Sequence, residues 1–231
     1  DLFEVDYVYE NKPIKRTFDE LNLEDKQSLL ENLKSKILDV SECELKKNSK
    51  QIVFNDGNPQ SPIMIIGEGP GQKEDEMGKP FVGDAGVLLN KMLEAINIER
   101  PKVYITNVVS YRPPNNRKPE PSEINRYSVF LREHINIIDP KILILMGSTA
   151  MEALFGQNLK ISKERGKWKE LIVNKKTYKT ILKLVVAPGL VLRSSYMWLL
   201  PNKTARFGIS LDTRHGTQHP LRHGCDSSGD S

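Results

Sequence analysis

At 231 residues the chain is long enough for one sizeable core, and length alone does not force a second domain. Apolar residues make up 38% and charged residues 28%, the polar side of the soluble globular range, and a net charge of +4 permits an anionic partner without demanding one. No apolar run approaches ~18 residues, so no membrane-spanning helix is expected. The opening "DLFEVDYVYENKP" is acidic and lacks an apolar signal core, which argues against export. Because the first residue is Asp1, a trimmed or incomplete N-terminus is expected. The 2 cysteines, Cys43 and Cys225, lie far apart with no C-x-x-C pair. Neither a disulfide framework nor a structural zinc site is expected, and a reducing cytoplasm is the default setting.

Residues 1–50 read as a helical extension. In "LEDKQSLLENLKSKILDV" the residues Leu29, Leu30, Leu33, Ile37 and Leu38 fall at helical spacing, a stripe that packs against the main body. From residue 51 short β-branched runs alternate with amphipathic ones. "QIVF" and "PIMIIG" read as strands, "AGVLLNKMLEAINI" as a helix, and "VYITNVVSYRPP" as a strand running into a proline-rich loop. "PSEINRYSVFLREHINIID" is a helix opened by Ser122, "KILILMG" a strand, and "STAMEALFG" a helix closed by Gly156. This alternation predicts a parallel or mostly parallel sheet flanked by helices over residues 51–200. After about residue 182 the pattern is lost, and residues 201–231 read as a disordered or aberrant tail.

In such a fold ligands sit beyond the carboxyl ends of the strands, so the loops that follow strands are where chemistry belongs. The first is "IGEGPGQKEDEMGKPFVGDAG", 6 glycines and 2 prolines among 5 acids. It has neither the G-x-G-x-x-G spacing nor the lysine of a phosphate loop. It does suit a backbone that must approach a ligand closely, and Gly83 and Gly86 leave N–H groups open at a helix start. Phe81 there is either a core plug or a stacking wall for a flat ring. The second loop is "TNVVSYRPPNNRKPEP". The Asn107 amide either bonds its own turn or reads the edge of an amide-bearing base. Arg112, Asn116, Arg117 and Lys118 among 4 prolines form a stiff basic loop, suited to a phosphodiester or simply solvated.

In this order, from "VFNDGNP" to "RGKW" (residues 53–168), these strings resemble the family-four uracil-DNA glycosylases, the iron–sulfur branch of the uracil glycosylase superfamily. "FNDGNPQSPIMIIGEGPGQKEDEMGKPFVGDAGVLLNKML" is similar to that family's first motif, and "YITNVVSYRPPNNRKPEP" to its second block. The resemblance implies a three-layer α/β/α fold with a central, mostly parallel four-stranded sheet. It also implies that a deoxyuridine is flipped out of DNA and its N-glycosidic bond hydrolysed for base excision repair. Glu68 would be the catalytic carboxylate. Gly67, Gly69, Glu74, Phe81 and Asn107 would surround the uracil, and Arg112, Asn116, Arg117, Leu192 and Arg193 would meet the DNA. A monomer acting on uracil-containing DNA in the cytoplasm, at a bacterial-type nucleoid, follows. Similar segments also occur in phage-type DNA polymerases, so a catalytically inactive DNA- or uracil-binding relative is the alternative, and a vestigial product a third reading.

Three departures qualify the resemblance. The family holds a 4Fe-4S cluster on four cysteines, whereas here Cys43 stands with Val40, Tyr111 and Tyr127 at the other ligand positions. One thiolate cannot hold a cluster, so no cofactor is expected and Cys43 is a relic. The family's last motif carries a histidine that assists uracil departure. In "APGLVLR", Ala187 occupies that place, or Val185 in a shifted register, with Pro188, Leu192 and Arg193 matching. Losing such a donor costs on the order of a hundredfold to a thousandfold in rate. His219-Pro220 offers a displaced motif, but without a strand around it. Beyond Arg193 nothing resembles the family, the pattern of a frameshifted or truncated gene.

Overall fold

Helix α1 (Leu23–Leu38) starts where the Asn22 side chain accepts the Asp25 N–H at 2.8 Å; Glu24 and Asp25 fill its first turn and Lys36 its last. That order of charge complements the helix dipole. A computed structural model of the chain describes residues 22–41, 43–156 and 159–183, and the expectations for residues 184–231 lie outside them. After α1 come α2 (Glu44–Lys47), β1 (Asn55–Gly57), β2 (Ile63–Gly67), α3 (Gln72–Met77), α4 (Asp84–Glu94) and β3 (Tyr104–Asn107). Then follow α5 (Pro121–Ile138), β4 (Ile142–Met146), α6 (Ser148–Phe155), α7 (Ile161–Glu164), β5 (Trp168–Val173) and β6 (Lys176–Lys183).

The strands form one sheet in the order β1-β3-β2-β4-β6-β5. The inner four are parallel, and β1 and β5 run antiparallel at the two edges. The mostly parallel four-stranded sheet that the resemblance implies is therefore a mixed six-stranded one: of the strands read from sequence, β2, β3 and β4 lie in its parallel interior, the "QIVF" segment leads into the antiparallel edge strand β1, and the fourth interior strand, β6, was not foreseen. Asn174 and Lys175, with φ of 47° and 67°, make a two-residue turn that folds β6 back along β5. β1 is displaced as well. Val53 and Phe54 of the expected strand "QIVF" are buried, yet only Asn55–Gly57 pair, against Tyr104–Thr106.

Alternate residues of β2 face two separate cores, as a strand's period of two requires. Met64 and Ile66 join Leu33 and Ile37 of α1, Leu131 and Ile135 of α5 and Met151 of α6. Ile65 faces the other way, onto Leu89 and Leu93 of α4, Ile105 and Met146. Helices therefore cover both faces of the sheet, the three-layer arrangement. Met64, Ile65 and Ile66 are 0% exposed, and burying side chains of this size stabilises by roughly 1.5–3 kcal/mol each.

α1 shares the larger core with α5. Its Leu30, Leu33 and Ile37 are buried while Leu29 and Leu38 stay largely exposed. Lys26 ties it down further, donating to the Ile138 carbonyl at 2.6 Å. α5 opens on Glu120 rather than on Ser122. Pro121 takes the first helical position, and the Glu123 carboxylate reaches back to the Glu120 N–H at 2.7 Å. A polar chain runs beneath the sheet: Asn55 Nδ2 donates to the Tyr104 hydroxyl at 2.7 Å, which lies 2.6 Å from His134 Nε2. Phe54 stacks on the imidazole at 4.8 Å. Burial holds His134 neutral, its pKa pushed down to about 3.

Candidate active site

Because β2, β3 and β4 are parallel, Gly67, Asn107 and Met146 bring the chain out on the same edge of the sheet. Gly67 and Asn107 are direct register partners. The ladder continues beyond the strands, with Val108 N–H donating to the Gly67 carbonyl at 2.9 Å and Val109 N–H to that of Glu68 at 3.2 Å. The two loops singled out from sequence are therefore laced together at their roots.

Gly67 is small for a reason of space. A Cβ there would lie 2.4 Å from Asn107 Oδ1 and 2.6 Å from Cε2 and Cζ of Phe81. Phe81 and Asn107 thus meet over a bare backbone. The proline-rich loop closes on the next glycine: a Cβ at Gly69 would meet Val109 at 2.7 Å and Pro113 at 3.9 Å. Phe81 fills part of the role of a core plug. Its half-buried ring packs against the smaller core, and its edge reaches Gly67. Asn107 is 5% exposed, and its Nδ2 is buried without a hydrogen-bond partner in the protein. A buried donor left so costs about 1–3 kcal/mol, which makes it a group held ready for an acceptor.

Glu68 is half-buried, and its Oε2 accepts the Thr149 hydroxyl at 2.5 Å. Thr149 is fully buried in the first turn of α6, just past the end of β4. It was not singled out from sequence, although it sits in a loop-to-helix segment after a parallel strand, the setting already used to find the other loops.

Glu74, grouped with the uracil contacts in the sequence reading, binds backbone. Its Oε1 accepts the N–H groups of Val82 and Gly83 at 2.9 and 2.7 Å, and its Oε2 that of Gly71 at 3.1 Å. It joins the two ends of the glycine-rich loop. Of the basic loop, Arg112 Nε donates to Asn116 Oδ1 at 2.7 Å. Arg117 forms a two-pronged pair with Glu123 at 2.7 and 2.8 Å, and Lys118 pairs with Glu152. Those carboxylates pin the loop to α5 and α6. Leu192, Arg193, Pro188, Ala187, Val185 and His219 lie outside the described residues.

Of the four positions aligned with the cluster ligands, Cys43, Tyr111 and Tyr127 lie near one another. Cys43 Sγ and the Tyr127 hydroxyl are 3.4 Å apart in the larger core, and Val40 packs on its margin. Burial, with Cys43 next to them, raises the phenol pKa of both Tyr111 and Tyr127. The Tyr111 hydroxyl is buried without a partner. One thiol, two neutral phenols and an alkyl group do not fit a cluster that requires four thiolates. Among the described residues no group of three or more His, Cys, Asp or Glu side chains could hold a metal.

The fold and the site define an α/β protein that brings an aromatic ring, an amide and a carboxylate together at the carboxyl edge of the parallel strands of a mixed sheet. A profile of the Uracil DNA glycosylase superfamily matches residues 54–197, and the chain belongs to that superfamily. It is 43% identical over 148 residues to the type-4 uracil-DNA glycosylase of Sulfurisphaera tokodaii, covering 61% of this chain and 67% of that one. To the type-4 uracil-DNA glycosylase of Thermotoga maritima it is 40% identical over 142 residues, 61% of this chain and 74% of the relative. A DNA polymerase of Bacillus phage SP01 is 33% identical over 128 residues, which are 55% of this chain but 14% of the polymerase.

Proposed function

We propose that this chain is a uracil-DNA glycosylase. A deoxyuridine turned out of the DNA stack enters beside Phe81 and Asn107, which close together over the bare backbone of Gly67. Asn107 Nδ2 donates to a carbonyl on the uracil edge, and the ring of Phe81 stacks on the base. The Glu68 carboxylate, held by Thr149, orients the attacking water and stabilises positive charge on the sugar. The water oxygen bonds to C1′ and gives up its proton to the Glu68 carboxylate as the bond from C1′ to uracil N1 breaks. Uracil leaves with the electron pair, and its negative charge is met by hydrogen-bond donors.

The observation that carries this reading is the convergence of Phe81 and Asn107 over Gly67, with the Asn107 donor unpartnered. Arg112 and Asn116, on the loop that closes over Gly69, are the DNA contacts it assigns, with Leu192 and Arg193 from the last motif. In this reading the chain works as a monomer in the cytoplasm on nucleoid DNA, without an iron–sulfur cluster. Among the described residues no helix is long and apolar enough to cross a membrane.

The test is release of free uracil from single-stranded and duplex oligonucleotides carrying one dU, beside the same sequences carrying dT. Release from dU alone is expected, and none at enzyme in large excess over DNA would sink the activity. Ala187→His in the same assay restores the last-motif donor, and acceleration of about a hundredfold is expected. Retention of dU oligonucleotides without cleavage, in both proteins, would instead favour a binding module.

A further inference from the structure

Phe81 has a φ of 53°, in the left-handed region that a bulky residue adopts only when its surroundings impose it. The imposition comes from two sides. Glu74 takes the two N–H groups that follow the ring-bearing residue. Arg100 takes the carbonyls: Nη2 donates to Pro80 O at 2.7 Å, and Nη1 to Phe81 O at 3.0 Å and to Asn90 Oδ1 at 3.0 Å. Its remaining edge is fixed by Asp56, which accepts from Nε at 2.8 Å. Asp56 lies on β1, paired with Ile105 of β3. Gly86 completes the fit, since a Cβ there would come within 1.9 Å of Phe81 O.

An ion pair with Asp56 alone would not need two successive carbonyls and an amide as further acceptors. Both partners are about one-fifth exposed, at 20% and 23%. The planar fork spans these acceptors at fixed angles, which a lysine ammonium cannot reproduce. We propose that Arg100, oriented by Asp56, is a positioning residue that holds the Phe81 turn in its left-handed geometry and so sets how the ring meets a bound pyrimidine. The stacking role rests on the glycosylase reading above. Arg100 acts through Phe81 and does not itself touch the base.

The experiment has two arms. In the first, Phe81 is replaced by 4-fluorophenylalanine and the fluorine resonance is followed in otherwise unchanged protein and with Arg100→Ala or Arg100→Lys. Both substitutions are expected to shift and broaden the resonance, and Arg100→Lys serves if Arg100→Ala does not fold. In the second, uracil release is measured for Arg100→Ala, Phe81→Ala and the double variant. Each single substitution is expected to lower kcat/KM about 10- to 100-fold, the range that one base–aromatic stack supplies. In the Phe81→Ala background the Arg100 substitution should cost less than about threefold. An unmoved resonance, or losses that multiply in the double variant, would overturn the role of Arg100. A parent chain that releases no uracil overturns the proposed function and the stacking role together. One that does release uracil, beside an unmoved resonance, overturns the Arg100 assignment alone.

Discussion

Gly67→Ala adds a single methyl group at the point where the two proposed base-binding side chains meet. The new carbon would sit 2.6 Å from two ring atoms of Phe81 and 2.4 Å from Asn107 Oδ1, whereas ordinary contact begins near 3.4 Å. The ring must retreat by ~0.8 Å, or β2 must separate from β3 where they are paired. Phe81 cannot retreat freely, because its backbone is held by Glu74 and Arg100. Overpacking of this kind costs about 1–3 kcal/mol of stability. A displacement approaching 1 Å at reacting groups costs on the order of a hundredfold in rate. Gly67→Ala should therefore lower single-turnover uracil release about a hundredfold while the protein still unfolds cooperatively. Rates from excess enzyme on a dU oligonucleotide, with thermal melts beside them, make the comparison. A variant that melts like the parent and releases uracil at the parent's rate would show that the placement of Phe81 and Asn107 over Gly67 does not matter to the reaction.

Thr149→Val keeps the shape of a fully buried side chain but removes the donor to Glu68, so kcat should fall about tenfold or more while KM holds; equal change in both would place Glu68 away from the chemistry. Asn107→Asp replaces the unpartnered donor by acceptors only, and uracil release should drop while dT stays untouched; full activity would remove Asn107 from the pocket. His134 is buried neutral, with its pKa lowered to about 3. Its contribution is therefore complete above the unfolded value near 6.5 and is lost as pH falls from there toward 3. Urea unfolding of the parent and of His134→Gln should converge by several kcal/mol across that range, and parallel curves would refute it. Finally, protein prepared under a strong chelator should match untreated protein in melting temperature and rate, with no charge-transfer absorption near 400 nm in either; a chelator-dependent loss would return a metal to the Cys43 region.

What could be read in the chain follows from which side chains face a core on both sides. β2, β3 and β4 lie inside the sheet, and their near-continuous apolar runs marked them without help. β5 and β6 form an edge hairpin in which Lys169, Glu170, Lys179 and Thr180 interrupt the apolar run, so it was not recognised. Its signal was present in the polar pair Asn174-Lys175 between two alternating segments. The site divides the same way. Position drew attention to the loops that follow β2 and β3, with Phe81 in the first and Asn107 at the root of the second, while the roles expected of Gly67 and Glu68 came only with the family resemblance. Arg100 and Thr149 could not be tied to them, because their partners lie 20 and 81 residues away and only the folded sheet brings them close. Glu74 illustrates the converse: an acid beside glycines invites a ligand role, yet its oxygens are occupied by backbone N–H groups.

The ladder that runs past the ends of β2 and β3 has a consequence for how the molecule fails when heated. Val108 and Val109 are bonded to the carbonyls of Gly67 and Glu68, so the floor beneath the bare glycine belongs to the same cooperative unit as the buried strands. Amide protons on that floor should exchange only when the whole domain opens, and warming should leave the catalytic function intact up to the temperature at which the sheet is lost.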